Sequence, residues 1–310
     1  MSKIVVAIGG NALGNTPKEQ KEIVKNTAKH LVKFIKQGND LVIVHGNGLQ
    51  VGMINNGFFL AHKHESTSPV VDFPECGAMS QGYIGYHLQQ AIKNELKKEK
   101  INKDVVTLIT QIVVDKNDDA FKNPTKPIGR FMSEEDAELI AKKNHWVVKK
   151  DSDRGWRRVI ASPQPIDIIE KEIINKLIDN KAIVITAGGG GIPVIYDKNN
   201  GYAGIPAVID KDFSAFVVAK MVNAERLVIL TAVDEVMLNY GTENQKGLKT
   251  VKSSQIKELI KTKQFASGSM LPKVLAALSF VEASHKSAVI GNLNKTEEVL
   301  TGKSGTKIIL

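Results

Sequence analysis

Cysteine is almost absent from this 310-residue chain: Cys76 is the only one. An intrachain disulfide and a cysteine-based zinc site are therefore excluded, and Cys76 reads as a small buried apolar residue. Aromatic residues are 5% of the chain, too few for the stacking platforms that hold single-stranded nucleic acid. No apolar run approaches the ~20 residues of a membrane span. The N-terminal apolar stretch, Ile4 to Ile8, is too short for a signal peptide and runs straight into Gly9-Gly10. These absences predict a cytoplasmic protein with no membrane partner. The seven histidines show no metal-ligand spacing, so no protein metal site is assigned. His62 and His64 read as a polar helix end, and His45 as a strand-end residue whose role is as readily structural as catalytic. No Ser-His-Asp set and no nucleophilic cysteine stand out. A Gly-x-x-x-x-Gly-Lys-Ser/Thr loop is missing, and so are His-Arg-Asp and Asp-Phe-Gly, which excludes P-loop and protein-kinase architectures.

The net charge is +9. Lysines alternate with glutamates in helical stretches such as Lys93 to Lys100, the pattern of a solvated face rather than a nucleic-acid footprint. A small anionic substrate accounts for the surplus better.

At Ile183 to Pro193 a β-branched run ends in four glycines, Gly188 to Gly191. The run reads as a buried parallel strand. The glycines read either as an anion cradle of backbone N–H groups or as a surface turn. Strands are expected at 3–8, 41–44, 105–114, 182–186, 227–231, 288–290 and 307–310. Helices are expected at 17–36, 77–100, 167–179, 213–222, 253–261 and from about Gly268 to Ser284. The alternation predicts an α/β fold with an open, mostly parallel sheet between helices. Ligands on such sheets lie beyond the carboxyl ends of the strands. Three glycine-rich loops, 9–14, 46–52 and 188–191, follow strands and can converge there. Residues 115–163 hold Pro124, Pro127 and Pro163, many charges and no clean sheet period. They read as an inserted protruding subdomain, either a lid or a decorated loop.

Asp210-Lys211-Asp212 precedes the helix from Phe213, with Asp212 as its expected cap. Ser269 is the expected cap of the helix containing Pro272 and Lys273. Lys273 lies near the positive end of that helix, where a cation suits an anionic ligand, above all a phosphate. Lysines, amides and carboxylates without a nucleophile suit phosphoryl transfer, which needs positioning and charge neutralisation.

The ordered motifs Gly9-Gly10-Asn11-Ala12-Leu13, His45-Gly46-Asn47-Gly48-x-Gln50-Val51-Gly52, Thr110-Gln111-x-Val113-Val114-Asp115, Lys126-Pro127-Ile128-Gly129 and Arg154-Gly155-x-Arg157-Arg158-Val159 carry a whole-chain resemblance. Gly188 to Val194, Val208 to Asp212, Thr231-Ala232-Val233-Asp234 and Gly268 to Val274 continue it. The chain resembles the carbamate kinases of the amino acid kinase superfamily. The resemblance implies an eight-stranded α/β/α sandwich, a homodimer, and reversible phosphoryl transfer between ATP plus carbamate and ADP plus carbamoyl phosphate with Mg²⁺. It also implies work toward ATP in arginine fermentation. One amino acid kinase domain over 1–310 is expected, with a carbamate-side lobe to about 209, a nucleotide-side lobe from about 210, and the insertion 115–163.

By the same resemblance, Gly9, Gly10, Asn11, Gly46, Asn47, Gly48 and Gly188, Gly189, Gly190 and Gly191 line the transferring phosphate and carbamate. Lys126 reaches in from the insertion. Lys211 and Lys273 meet the nucleotide phosphates, Asp212 orients the lysines and Asp210 lies nearby. Thr231, Ala232, Val233, Asp234 and Met270 join the nucleotide side. Many superfamily members carry a lysine where this chain has Ala7, so Lys126 is the expected substitute. Leu49, Arg130, Met132, Asp153 and Trp156 depart from the usual residues of the resembled family. The sequence also allows two other readings: a relative acting on another small carboxylate or phosphonate, and a non-catalytic nucleotide sensor or nucleic-acid binder.

Overall fold

The computed structural model describes residues 2–9, 13, 16–144, 146–151 and 155–310. The chain opens with β1 (Lys3–Ile8), α1 (Pro17–Lys36), β2 (Asp40–His45), α2 (Gly48–His64) and α3 (Phe73–Lys98). β3 (Val105–Thr107), β4 (Gln111–Val113), β5 (Lys126–Met132), α4 (Glu134–Asn144), β6 (Val148–Lys150) and β7 (Trp156–Ile160) follow. Next come β8 (Asp167–Ile168), α5 (Lys171–Asp179), β9 (Ile183–Ile185), β10 (Ile192–Asp197), β11 (Gly201–Gly204) and α6 (Lys211–Met221). The last part holds β12 (Arg226–Thr231), β13 (Val236–Leu238), β14 (Lys246–Leu248), β15 (Thr250–Lys252), α7 (Ser253–Lys261), α8 (Met270–Ser284), β16 (Ser287–Asn292), α9 (Thr296–Leu300) and β17 (Thr306–Ile309).

Eight strands form the main sheet in the order β15-β17-β16-β12-β1-β2-β9-β3. The six from β16 to β3 run parallel, and β17 reverses against β16. β2 is buried at every residue, as expected of a strand covered on both faces. Alternate residues of β1 serve the two layers. Ile4, Val6 and Ile8 pack with α1 and α3, whereas Val5 and Ala7 pack toward α6 and α8.

The termini of α1 agree with the sequence for local reasons: Thr16 Oγ1 accepts from Glu19 N–H, and Pro17 occupies the first turn. Other expectations need correction. Residues 105–114 form two strands in two sheets. The Gln81 side chain accepts from Thr110 N–H and donates to its carbonyl, at 2.8 and 3.1 Å, pinning the chain between them. Residues 167–168 pair with β4, and the helix begins only at Lys171. The loop expected over 46–52 is confined to Gly46 and Asn47, because Gly48 opens α2. Gly52 lies within that helix, where a Cβ would stand 3.1 Å from Gly129 N. It is small for the approach of β5 and not for loop flexibility. Residues 115–163 contain a regular antiparallel sheet, β5-β7-β6, flanked by α4. A register shift between Ile128 and Met132 breaks the sequence period there.

Candidate active site

The carboxyl ends of β1, β2 and β9, adjacent in the sheet, present their loops on one edge. A cleft of about 460 Å³ opens there, between that edge, α6, α8 and β5. Gly46, Asn47, Gly48, Gly189, Lys126, Asp210, Lys211, Asp212 and Lys273 all line it.

The polar centre of the cleft is a chain of ion pairs. Lys126 Nζ lies 2.7 Å from Asp210 Oδ2. Asp210 Oδ1 accepts from Asp212 N–H at 2.9 Å, so Asp210 is the N-cap of α6. The cap expected at Asp212 therefore sits two residues earlier. Asp212 stands in the first turn and takes Lys211 on Oδ1 and Lys273 on Oδ2, the latter at 3.1 Å. Ser269 holds the N-cap position of α8 but makes no side-chain cap bond; its carbonyl accepts from Lys273 Nζ at 3.2 Å.

Burial alone would raise the Asp210 carboxyl, but Lys126 and Lys211 outweigh it and bring its pKa down to about 2. Burial lowers the Lys211 ammonium, Asp212 opposes that shift, and Lys273 adds to it. Three ammonium groups face two carboxylates, leaving one net positive charge beside the N-termini of α6 and α8. That arrangement favours bound anions.

The four-glycine loop is built more tightly than a surface turn. All four glycines are buried, and Gly189, Gly190 and Gly191 have φ of 67°, 96° and 88°. A Cβ would meet His45 Nε2 at Gly188, Asn47 Nδ2 at Gly189, the Ile209 carbonyl at Gly190 and the Ile112 side chain at Gly191, each within 2.4 Å. The glycines thus admit the protein's own neighbours. Gly190 and Gly191 donate their N–H groups to the carbonyls of Ala187 and Gly188, and only Gly189 of the four lines the cleft. His45 Nδ1 lies 2.8 Å from the Gly46 carbonyl, and burial lowers its pKa to about 4. Its neutral ring is a packing partner of the loop. Of the first glycine loop, Gly10, Asn11, Ala12 and Gly14 lie outside the described residues, as does Asp153.

A second cavity of about 250 Å³ adjoins the cleft through Ser269 and Lys273. Thr231, Val233, Met270 and Lys273 line it, as do Met237, Tyr240 and Phe265. Gly9 and Ala232 line a third, of about 340 Å³, which Lys273 and Thr231 also border. Asp234 lines none of the three. It accepts from Asn292 Nδ2 at 2.8 Å and pairs with Lys295 at 2.6 Å.

The model of the amino acid kinase family matches residues 2–292. Carbamate kinase 1 of Staphylococcus epidermidis is 51% identical over 309 residues, 99% of each chain. The chain belongs to the carbamate kinases of the amino acid kinase family. Carbamate kinase 3 of Staphylococcus aureus is 52% identical over the same share of both chains. The solved carbamate kinase of Giardia lamblia bound to AMP-PNP is 40% identical, with a TM-score of 0.91 over 99% of this chain and 98% of that one. The eight-stranded, mostly parallel architecture is the fold of carbamate kinases.

Some residues at this carbamate kinase cleft escaped the sequence reading. Arg157 lines it, donating from Nε to the Gly129 carbonyl at 3.1 Å and pairing with Asp151 at 3.0 Å. Its motif was visible, but both partners depend on the three-stranded sheet. Gln50 and Leu49 also line it, Leu49 half exposed. Tyr240, Met237 and Phe265 belong to no motif and meet only through tertiary packing.

Proposed function

We propose that the chain is a carbamate kinase, transferring a phosphoryl group reversibly between ATP plus carbamate and ADP plus carbamoyl phosphate. The observation that carries this reading is the Lys126–Asp210 pair beside the Lys211–Asp212–Lys273 bridge, set in one cleft at two helix N-termini. Carbamate is already an anion and needs no general base, and His45, which precedes the lining residue Gly46, is buried, neutral and outside the lining of the cleft. The barrier is the approach of two anions, and lysines with amide dipoles lower it.

Lys211 and Lys273 take the nucleotide phosphates, with the base in the cavity lined by Met237, Tyr240 and Phe265. Carbamate and the transferring phosphate lie toward Gly46, Asn47, Gly48 and Gly189. Residues to about 209 serve carbamate and those from about 210 the nucleotide. The insertion 115–163 acts as a lid that brings Lys126 to the phosphate and excludes water from labile carbamoyl phosphate. All four carboxylate oxygens of Asp210 and Asp212 are already engaged. Mg²⁺ would be held chiefly by the nucleotide phosphates, where it would neutralise charge on the transferring group. Among the described residues no helix is long and apolar enough to cross a membrane. A cytoplasmic homodimer working toward ATP in arginine fermentation completes the reading. The edge strand β3, with exposed Tyr86 and Ile109 beside it, supplies a surface for the second copy.

The test is ATP formation from ADP, Mg²⁺ and carbamoyl phosphate by the purified protein. Turnover is expected, and its absence overturns the assignment. Replacing Lys126 by Ala is expected to lower kcat by about 10²–10³-fold, the size of a lost transition-state donor. An unchanged rate would remove Lys126 from the chemistry.

A further inference from the structure

Gln50 stands in the first turn of α2, on the wall of the cleft, yet its side chain is nearly all buried. Its Nε2 donates to Gln20 Oε1 of α1 at 3.2 Å. Gln20 Nε2 in turn lies 2.9 Å from His87 Nδ1 of α3. Gln20 is fully buried and His87 is 4% exposed. Three buried polar side chains from three helices thus connect the cleft wall to a histidine outside it, and the phosphoryl transfer described above uses none of them.

The order of these bonds has a direction. A carboxamide has one donating end and one accepting end. Gln20 accepts from Gln50 through Oε1, so its Nε2 must donate to His87. His87 Nδ1 must then accept, which requires a neutral ring with its proton on Nε2. A proton on Nδ1 would face the Gln20 NH₂ group, donor against donor. Gln20 would have to turn over, and its NH₂ would then face that of Gln50. The surroundings favour the neutral ring: burial lowers the His87 pKa, and Lys21 of α1 adds to the shift. The Tyr83 and Tyr86 rings flank the imidazole at 5.2 and 4.9 Å.

We propose that neutral His87 is a positioning residue that acts through Gln20 to hold Gln50, and with it the Gly48–Gly52 turn walling the carbamate side, and that protonating His87 releases this turn. The inference rests on the carbamate kinase reading and adds to it a pH-dependent affinity for carbamoyl phosphate.

The experiment measures KM for carbamoyl phosphate, KM for ADP and kcat from about pH 5 to about pH 8, the range in which a histidine titrates. In the wild type, KM for carbamoyl phosphate is expected to rise about three- to tenfold more than in His87→Asn below a midpoint under 6.5, as for one lost hydrogen bond, with KM for ADP following the same pH course in both proteins. His87→Asn offers a carboxamide oxygen near the Nδ1 position and does not titrate. It is expected to keep the neutral-pH KM and to lose most of the acid rise relative to the wild type. His87→Leu and Gln20→Leu are expected to carry the raised KM at every pH. A full acid rise in His87→Asn, or a wild-type KM in both leucine variants, overturns the relay. A second readout does not depend on turnover: in wild-type protein, the Gln20 and Gln50 side-chain amide resonances should titrate with the His87 ring at one midpoint. Independent titration overturns the relay, whereas absent turnover with a shared midpoint defeats the carbamate kinase reading alone.

Discussion

Asp212 illustrates how one side chain can hold a site and a fold together. It is 2% exposed and bridges Lys211 and Lys273, from α6 and α8. Removing its charge strands two largely buried ammonium groups. Asp212→Asn is expected to cost about 3 kcal/mol in a denaturant titration of the nucleotide-free protein, the range for breaking a buried pair. Saturating ATP should recover part of that loss, because its phosphates replace the missing charge. Asp210 makes a related prediction. Its pKa is depressed to about 2, so its contribution is fully present above the unfolded-state value near 3.8 and is lost as pH falls through about 2. His45 acts at milder acidity. Its folded pKa of about 4 lies below the ordinary histidine value of 6.5, so the unfolded chain takes up the proton first. Stability should fall by about 3 kcal/mol between pH 6.5 and 4 from this group, and His45→Asn should flatten that part of the pH–stability curve. At this scale the charged residues were legible in the sequence because Asp210-Lys211-Asp212 and Lys273 lie in ordered motifs. Asp212 was expected beside the lysines, and it pairs with Lys211 and Lys273; the direct Lys126–Asp210 pair was not legible.

Among the elements, the four-glycine loop departs furthest from its sequence reading. Its glycines were expected to open space for a ligand, and they open it for His45, Asn47, Ile209 and Ile112. No local pattern could reveal this, because the four neighbours come from β2, its following loop, the segment before α6, and β4. The Gly190 position couples the loop to the ion pairs. A Cβ there would stand 2.1 Å from the Ile209 carbonyl, one residue before Asp210, at a φ of +96°. Gly190→Ala is expected to destabilise the protein by about 3 kcal/mol or more and to lower kcat through a displaced Asp210. Thermal unfolding and steady-state rates check the two effects separately. α2 was read as a loop as far as Gly52 because glycines usually punctuate, and helix packing against β5 overrides that preference.

Over the whole molecule, alternation of strands and helices was enough to foresee a parallel sheet with its loops on one edge. The strand order, the second sheet β11-β10-β4-β8 and the three strands of the insertion were not foreseeable, since they depend on pairings distant in sequence. Charge is also a property of this scale. The net +9 of the chain and the surplus positive charge of the cleft together draw in anionic substrates. Raising salt from about 0.05 M to about 0.5 M should increase KM for ADP and carbamoyl phosphate severalfold, because screening shortens the reach of that field. kcat should change much less, since the buried pairs are screened least.

Asp210 caps α6 with one oxygen and receives Lys126 with the other. A substitution there removes the partner of Lys126 and unwinds a helix start in the same step, so the position has little freedom to drift. Lys126 begins an edge strand of the inserted sheet and carries no second structural duty of that kind. Divergence toward a new acceptor in this architecture would therefore begin on the inserted sheet, with the aspartate half of the pair as its fixed point.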